Sequence, residues 1–418
     1  MFRKRIDFGS RLEVQNHEGN TALHLAAAEG YSEIVSKLID AGSTFEVKNH
    51  EGNIALQLAA AEGYIEIVSK LIDAGSTFEE KNHEGNTALH LTAAGGYSEI
   101  VSKLIVAGSK LNVQNHEGNT ALHLAAAGGY SEMVSKLFYF GSRLEVQNHE
   151  GNTALHLASA GGYSEMVSKL FYFGSRLEVQ NHEGNTVLYL ASAGGYSEMV
   201  RGLIDAGFTF EVKNHEGNTA LHLAAAGGYS DIVCKLIDAG STFVVKNHEG
   251  NTALHLATAG SYSGIVSKLI AVGSTFEVKN HEGNTALHLA AAGGYSEMVS
   301  NLIDAGCVLE VKNYERNTAL HLAAAEGYIE NVRKLIAAGS KLEVKNDEGN
   351  TALHLAATGG YSEIVSKLIA AESKLEEKND EGNTALHLAA AGGYSDMVSK
   401  LIAAGSKSFK HATPVCGR

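Results

Sequence analysis

The 418-residue chain contains one proline, no tryptophan and three cysteines. A chain with a single proline cannot punctuate its turns with that residue, so the turns must rest on asparagine and on the 46 glycines. Cys234, Cys307 and Cys416 are too few and too scattered for a disulfide framework or a metal knuckle, which fits a reducing interior. There is no run of about 18 apolar residues, so no membrane insertion is expected. The basic start, Met1 to Arg5, runs into Asp7 and Gly9 and not into an apolar stretch, so no secretory leader is expected either. These absences point to a cytoplasmic protein, with nothing to separate cytoplasm from nucleus. The net charge of −14 argues against a polyanionic partner, because affinity for a phosphate backbone comes from clustered Lys and Arg. No nucleic-acid partner is expected.

What is present is a period. The string Asn-His-Glu-Gly-Asn-Thr-Ala-Leu-His begins at Asn16 and returns, with small changes, every 33 residues, at Asn49, Asn82 and onward to Asn379, with no insertion or deletion. Hydrophobic residues make up 44% of the chain, enough apolar surface for a folded protein. A fixed period of this length is the mark of stacked supersecondary units, each unable to bury its apolar face alone.

Within the first repeat, residues 16–48, Thr21 is placed to cap a helix that starts at Ala22. Leu23, Ala26 and Ala27 then share one face, and their small side chains favour close helix approach. Gly30 ends this helix. Ser32 and Glu33 suit the N-cap and first turn of a second helix, whose inward stripe is Tyr31, Ile34, Val35, Leu38 and Ile39, and Gly42 stops it. Phe45 and Val47 alternate with polar residues and lead into an extended, hairpin-like connector through Gly52. Each helix is shorter than the ~12–15 residues at which isolated helices become marginal, so stacking must supply the stability. The expected fold is an all-α solenoid of stacked helix–turn–helix units with hairpin-like connectors. Its expected organisation is a partial repeat at 1–15, twelve repeats at 16–411 and a tail at 412–418.

Thr21-Ala22-Leu23-His24-Leu25-Ala26 resembles the Thr-Pro-Leu-His-x-Ala string of ankyrin repeats, and Gly19, Ala27, Gly30, Leu38 and Gly42 fall at matching offsets. The departure is systematic, since Ala or Val stands where the family usually has proline. The resemblance implies a protein-binding scaffold or adaptor that is not an enzyme and takes no cofactor. It implies a concave partner face built from connector tips and first helices, here His17, Glu18, Asn20, Ala28, Glu29 and their counterparts. His116, Glu117, His149 and Glu150 are such counterparts. That face hardly varies along the array, which suits an extended or multivalent partner and equally suits recent duplication. An alternative reading makes the array a targeting or regulatory segment of a larger enzyme or channel. Residues 8–15 are identical to 140–147 and 173–180, so the chain starts inside a repeat; the face left uncovered there predicts end-to-end self-association.

Nine of the 20 histidines take the second repeat position, ten take the ninth, and His411 stands apart. An active site needs one asymmetric constellation, and near-identical units offer no unique place for it. The ninth-position His sits where a capping-box residue reaches back to the N-cap, and repeat 2 changes both members together, to Ile54 and Gln57. The second-position His recurs at tips spaced roughly 10 Å apart, too far to share a metal. The Gly-Gly-Tyr-Ser segment follows a helix and lacks the Lys-Ser/Thr ending of a phosphate loop.

Two sets of exceptions break the pattern. Glycine is replaced by Ser261, Arg316 and Glu372 at positions that favour positive φ, which predicts weak points in repeats 8, 10 and 11. Repeats 4 and 5 end their second helices with Phe138, Tyr139, Phe140 and with Phe171, Tyr172, Phe173. Helical spacing turns Phe138 and Phe171 inward as core and leaves Tyr139, Phe140, Tyr172 and Phe173 as a candidate partner patch. The competing reading is packing between repeats, with Phe140 stacked on Phe173.

Overall fold

The computed structural model describes residues 12–411, so most of the expected partial repeat and the whole tail lie outside the described residues. The described residues hold 24 helices in twelve pairs and no strand. They fall into two units that meet in sequence at His215 and Glu216. In the first unit the inner helices run from Ala22–Ala28 to Val187–Ala193, and the outer helices from Ser32–Asp40 to Ser197–Asp205. In the second, the inner helices run from Ala220–Ala226 to Ala385–Ala391, and the outer helices from Ser230–Asp238 to Ser395–His411. Within each unit an inner helix packs on its own outer helix and on the next inner helix. Leu56, Ala59, Ala60, Val68 and Leu71 are fully buried by this stacking. Burial between successive repeats thus replaces the length that seven- and nine-residue helices lack.

The start of ten of the twelve inner helices is fixed by a Thr–His pair. Thr21 has extended φ and ψ of −83° and 172°, and its Oγ1 accepts from the His24 backbone N–H. His24 Nδ1 in turn accepts from the Thr21 N–H (3.2 Å) and lies 2.8 Å from Thr21 Oγ1. In repeat 2 Gln57 Oε1 takes over, accepting from the Ile54 N–H at 2.9 Å. The paired change at 54 and 57 is therefore a swap of one capping geometry for another.

The outer helix starts one residue earlier than its sequence suggests. Tyr31, not Ser32, is the N-cap, and Ser32 is already helical. The reversal at Gly30 (φ +78°) closes a tight turn in which the Ser32 N–H donates to the Gly30 carbonyl, so no side-chain cap is needed. Glycine is required there for a second reason, because a Cβ would sit 2.8 Å from a ring carbon of Tyr64 in the next repeat.

Nine of the twelve second helices are followed, after a terminal glycine or Glu372, by a buried serine whose hydroxyl finds no partner, such as Ser43, Ser142 and Ser274. Phe208 and Cys307 fill the same position, so the site does not depend on a hydroxyl. Burial pushes the Cys307 thiol up to about 11, which leaves it unreactive.

Repeat 1 differs from the interior in exposure. Ile34 is 47% exposed, while its counterparts Ile67 and Ile100 are 1% exposed. Ser261, Arg316 and Glu372 adopt φ of 62°, 58° and 67°, the three positive values among described non-glycine residues. The chain keeps the left-handed backbone after glycine has gone.

Candidate functional site

Each connector tip is built by asparagine. Asn49 Oδ1 accepts from the backbone N–H groups of Glu51 (3.0 Å) and Asn53 (2.9 Å), and its Nδ2 donates to Asn20 Oδ1 of the preceding repeat at 2.9 Å. The His50 N–H donates to the Glu18 carbonyl. Asn53 Nδ2 donates to Glu51 Oε2 at 3.0 Å, which fixes the carboxylate on the tip. The connector is thus hairpin-like in path but is held by a side-chain ladder and a single cross-repeat backbone bond. Asn20, expected to face a partner, is consumed by this ladder.

His17, Glu18, His116, Glu117, His149 and Glu150 are all exposed. The tip rings lie back along the array: a Cβ on Gly118 would come within 2.7 Å of His149 Cδ2. Tip histidine and tip glycine therefore pack as a pair. Among the described residues no three His, Cys, Asp or Glu converge on a point able to hold a metal. Between the tips and the inner helices of repeats 8 and 9 runs a groove of about 410 Å³ lined by His248, Glu249, His281 and Leu289.

The ninth-position histidines are committed to structure. Because the Thr N–H can only donate, His24 Nδ1 is the acceptor and the proton sits on Nε2, which donates to the Asn53 carbonyl at 3.0 Å. His90, His123 and His156 repeat the arrangement, each tying its repeat to the next. Both ring nitrogens are engaged, so neither is left for a substrate. Burial lowers the pKa of His24, His90, His123 and His156, and takes those of His288 and His321 to about 4. In repeat 6 Tyr189 replaces the histidine, and its phenol oxygen accepts from Asn214 Nδ2 at 2.6 Å.

The aromatic triplets of repeats 4 and 5 form one connected cluster. Tyr139 is 76% exposed, Tyr172 85% and Phe140 49%, while Phe173 is half-buried. Two expectations are corrected. Phe138 and Phe171 are not core, for Phe138 is half-buried and Phe171 is 42% exposed. The inter-repeat stack joins Phe138 to Phe173, with ring centroids 4.1 Å apart and planes within 10°, and does not involve Phe140. The reason is side-chain direction: residues of a helix lean toward its N-terminus, so the C-cap Phe173 reaches back over the last turn of the neighbouring helix. Tyr139 meets Phe173 edge-on at 5.7 Å, and Tyr172 meets it at 6.2 Å. The cluster thus has a packed centre and two tyrosines that project from it.

No described helix is long and apolar enough to cross a membrane. The comparison with curated proteins returns no match. The family model described as ankyrin repeats (3 copies) matches seven overlapping stretches, 4–82, 74–148, 129–214, 155–247, 207–280, 254–346 and 320–411. With that match spanning nearly the whole chain and helix pairs stacked in series beneath it, the protein belongs to the ankyrin repeat family, a family of protein–protein interaction modules.

Proposed function

We propose that the chain is a non-enzymatic scaffold or adaptor of the cytoplasm, and that its most specific partner contact is the aromatic cluster of repeats 4 and 5. The observation that carries this reading is the exposure of Tyr139 and Tyr172 on adjacent repeats of an array that is otherwise nearly uniform. Tyrosine is favoured at binding hot spots because it supplies a large rigid contact area with a polar end. The tips, including His17, Glu18, His116, Glu117, His149 and Glu150, offer the same chemistry many times and serve as a weaker, multivalent surface.

Replacing Tyr139 and Tyr172 together by Ala is expected to abolish partner labelling in a proximity-labelling experiment while the melting temperature stays within a few degrees. Labelling that survives unchanged beside a clear fall in melting temperature would make the cluster a packing device only.

Self-association is a second expectation of the same reading. Ile34 of repeat 1 is exposed although its counterparts Ile67 and Ile100 are buried. Sedimentation velocity of the 418-residue chain over a concentration series should show reversible mass growth, and a single monomeric species throughout would remove the idea.

A further inference from the structure

The geometry points to a short acidic segment of another protein, carrying an apolar anchor, as the occupant of the outer surface of repeats 3 to 5. This rests on the reading of the aromatic cluster as a partner site and extends it to the partner's chemistry.

Two rows run side by side on these repeats. The first is apolar. Val106, Tyr139 and Tyr172 occupy the same position of three successive outer helices and are 79%, 76% and 85% exposed. On the repeats to either side that position is Asp73 and Asp205. The second row is cationic. Lys110, Arg143 and Arg176 stand four residues further on in each repeat, all exposed, where the flanking repeats have Thr77 and Thr209. Among the described residues none of the three is within ion-pair distance of a carboxylate, whereas Lys136 and Lys169 are held by Glu132 and Glu165 at 2.9 and 2.8 Å.

The rows adjoin because the chain folds back between them. The Ser142 N–H donates to the Leu137 carbonyl at 2.9 Å, which returns the backbone to the last helical turn just before Arg143. The same closure, Ser175 N–H to the Leu170 carbonyl at 3.0 Å, precedes Arg176. At the middle of the three a carboxylate is missing, since the Arg143 N–H is received by Asn112, whereas the Lys110 and Arg176 N–H groups are received by Glu79 and Glu145.

In a chain of net charge −14, three consecutive repeats exchange the flanking aspartate for an exposed apolar side chain and the flanking threonine for an exposed cation, although Glu79 and Glu145 lie against the Lys110 and Arg176 N–H groups. Exposed carboxylates are repelled by most of the molecule and attracted here over roughly a Debye length, about 8–10 Å at physiological salt. With repeats spaced roughly 10 Å apart, a segment of about six or seven extended residues spans all three at ~3.3 Å per residue. An aromatic or leucine side chain would settle over Phe173, flanked by Tyr139 and Tyr172. On the repeat 3 side the surface continues into a groove of about 400 Å³ lined by Ile72, Ser102, Lys103 and Val106, with Asp73 at its repeat 2 wall. The overall negative charge disfavours a nucleic acid, whose phosphates extend far beyond the three cations.

The test is selection of a displayed 12-residue random peptide library on the full 418-residue chain, with the Tyr139→Ala, Tyr172→Ala chain as counter-selection. Peptides that depend on the tyrosines should be acidic, with a central aromatic residue or leucine. They should bind at least tenfold more weakly to a Lys110→Glu, Arg143→Glu, Arg176→Glu chain whose thermal melt is unchanged, and more weakly as salt is raised. Tyrosine-dependent peptides that are neutral or basic, or that ignore the charge reversal, would overturn the acidic assignment and leave the aromatic site standing. A single-stranded oligonucleotide that binds as tightly as any selected peptide would also overturn it. No tyrosine-dependent peptide at all would remove the site itself.

Discussion

Acidification from pH 7 to pH 4 is expected to unfold the array with the uptake of several protons. His24, His90, His123, His156, His255, His288, His321 and His354 all have pKa values lowered by burial. Each is neutral in the fold, with Nδ1 accepting from the Thr N–H, so protonation would set a donor against a donor. In the window between the folded values and the unfolded value of about 6.5, the unfolded chain binds more protons than the folded one. The stabilising contribution is therefore complete above about pH 6.5 and is lost as pH falls toward the folded pKa. For His288 and His321, lowered to about 4, the loss is roughly 3 kcal/mol each at about 1.4 kcal/mol per unit. Two such sites already rival the ~5–15 kcal/mol that holds a typical domain. Glu66, Glu165 and Glu377 are also lowered, the first by the Ser32 hydroxyl, the second by Lys169 and the third by Lys345, so their contributions are lost below the histidine window. Urea unfolding followed at successive pH values gives the slope. Repeat 2 supplies the control, for Gln57 makes the same bonds without titrating, donating to the Asn86 carbonyl at 2.8 Å. His288→Gln with His321→Gln should reduce the acid dependence by about two protons while leaving stability at pH 8 nearly unchanged. An identical slope in the variant would show that these histidines do not carry the transition.

What the sequence revealed and what it hid divide along one physical line. Features set within a repeat were legible: the period, the Thr21–His24 cap, and the three positions where Ser261, Arg316 and Glu372 hold positive φ without glycine. Features set by the offset between neighbours were not. The Phe138–Phe173 stack depends on how far one helix is displaced along the next, and side-chain periodicity within one helix carries no record of that displacement. The asparagine ladder was hidden in the same way, because Asn49 and Asn20 meet only across 29 residues. Its signal was nonetheless present, since Asn recurs at both tip positions of every repeat, on either side of the His-Glu-Gly segment or its variants. Tyr31 displaced Ser32 as N-cap for a local reason that composition does not announce, namely that the Gly30 turn already satisfies the Ser32 N–H. Exposure of Tyr139 and Tyr172 was correctly read from spacing, because both lie opposite the inward stripe of their helix and meet Phe173 only at its margin.

Repeats 10 and 11 are expected to open before repeats 3 to 7. Three departures from the repeat pattern fall in these two units. Asn331 lies fully buried in a layer that elsewhere holds Ile or Met, such as Ile67, Met133 and Ile364. Its Nδ2 donates to the carbonyls of Ala290 (3.2 Å) and Ala291 (3.1 Å), but its Oδ1 has no partner. A buried acceptor left unpaired costs about 1–3 kcal/mol. The Ala290 carbonyl also accepts from the Tyr295 N–H, so it keeps a partner when Asn331 is replaced. Asn331→Ile should therefore stabilise by about 1–3 kcal/mol, the largest single gain available in these repeats. Glu372 at φ 67° costs roughly 1 kcal/mol relative to glycine. Its N–H keeps the turn bond to the Ile369 carbonyl, so Glu372→Gly should recover that amount. Arg316→Gly is the poorer remedy. It relieves a similar strain but removes an exposed ion pair with Asp347 at 3.7 Å, and such pairs contribute about 0–1 kcal/mol. Hydrogen exchange on the unmodified chain should show repeats 10 and 11 protected least among the interior repeats. In the Asn331→Ile, Glu372→Gly chain that gap should close, with protection in repeats 3 to 7 unchanged. Uniform protection in the unmodified chain, or a double variant whose gain is spread evenly over the array, would mean that these residues do not set where the solenoid opens.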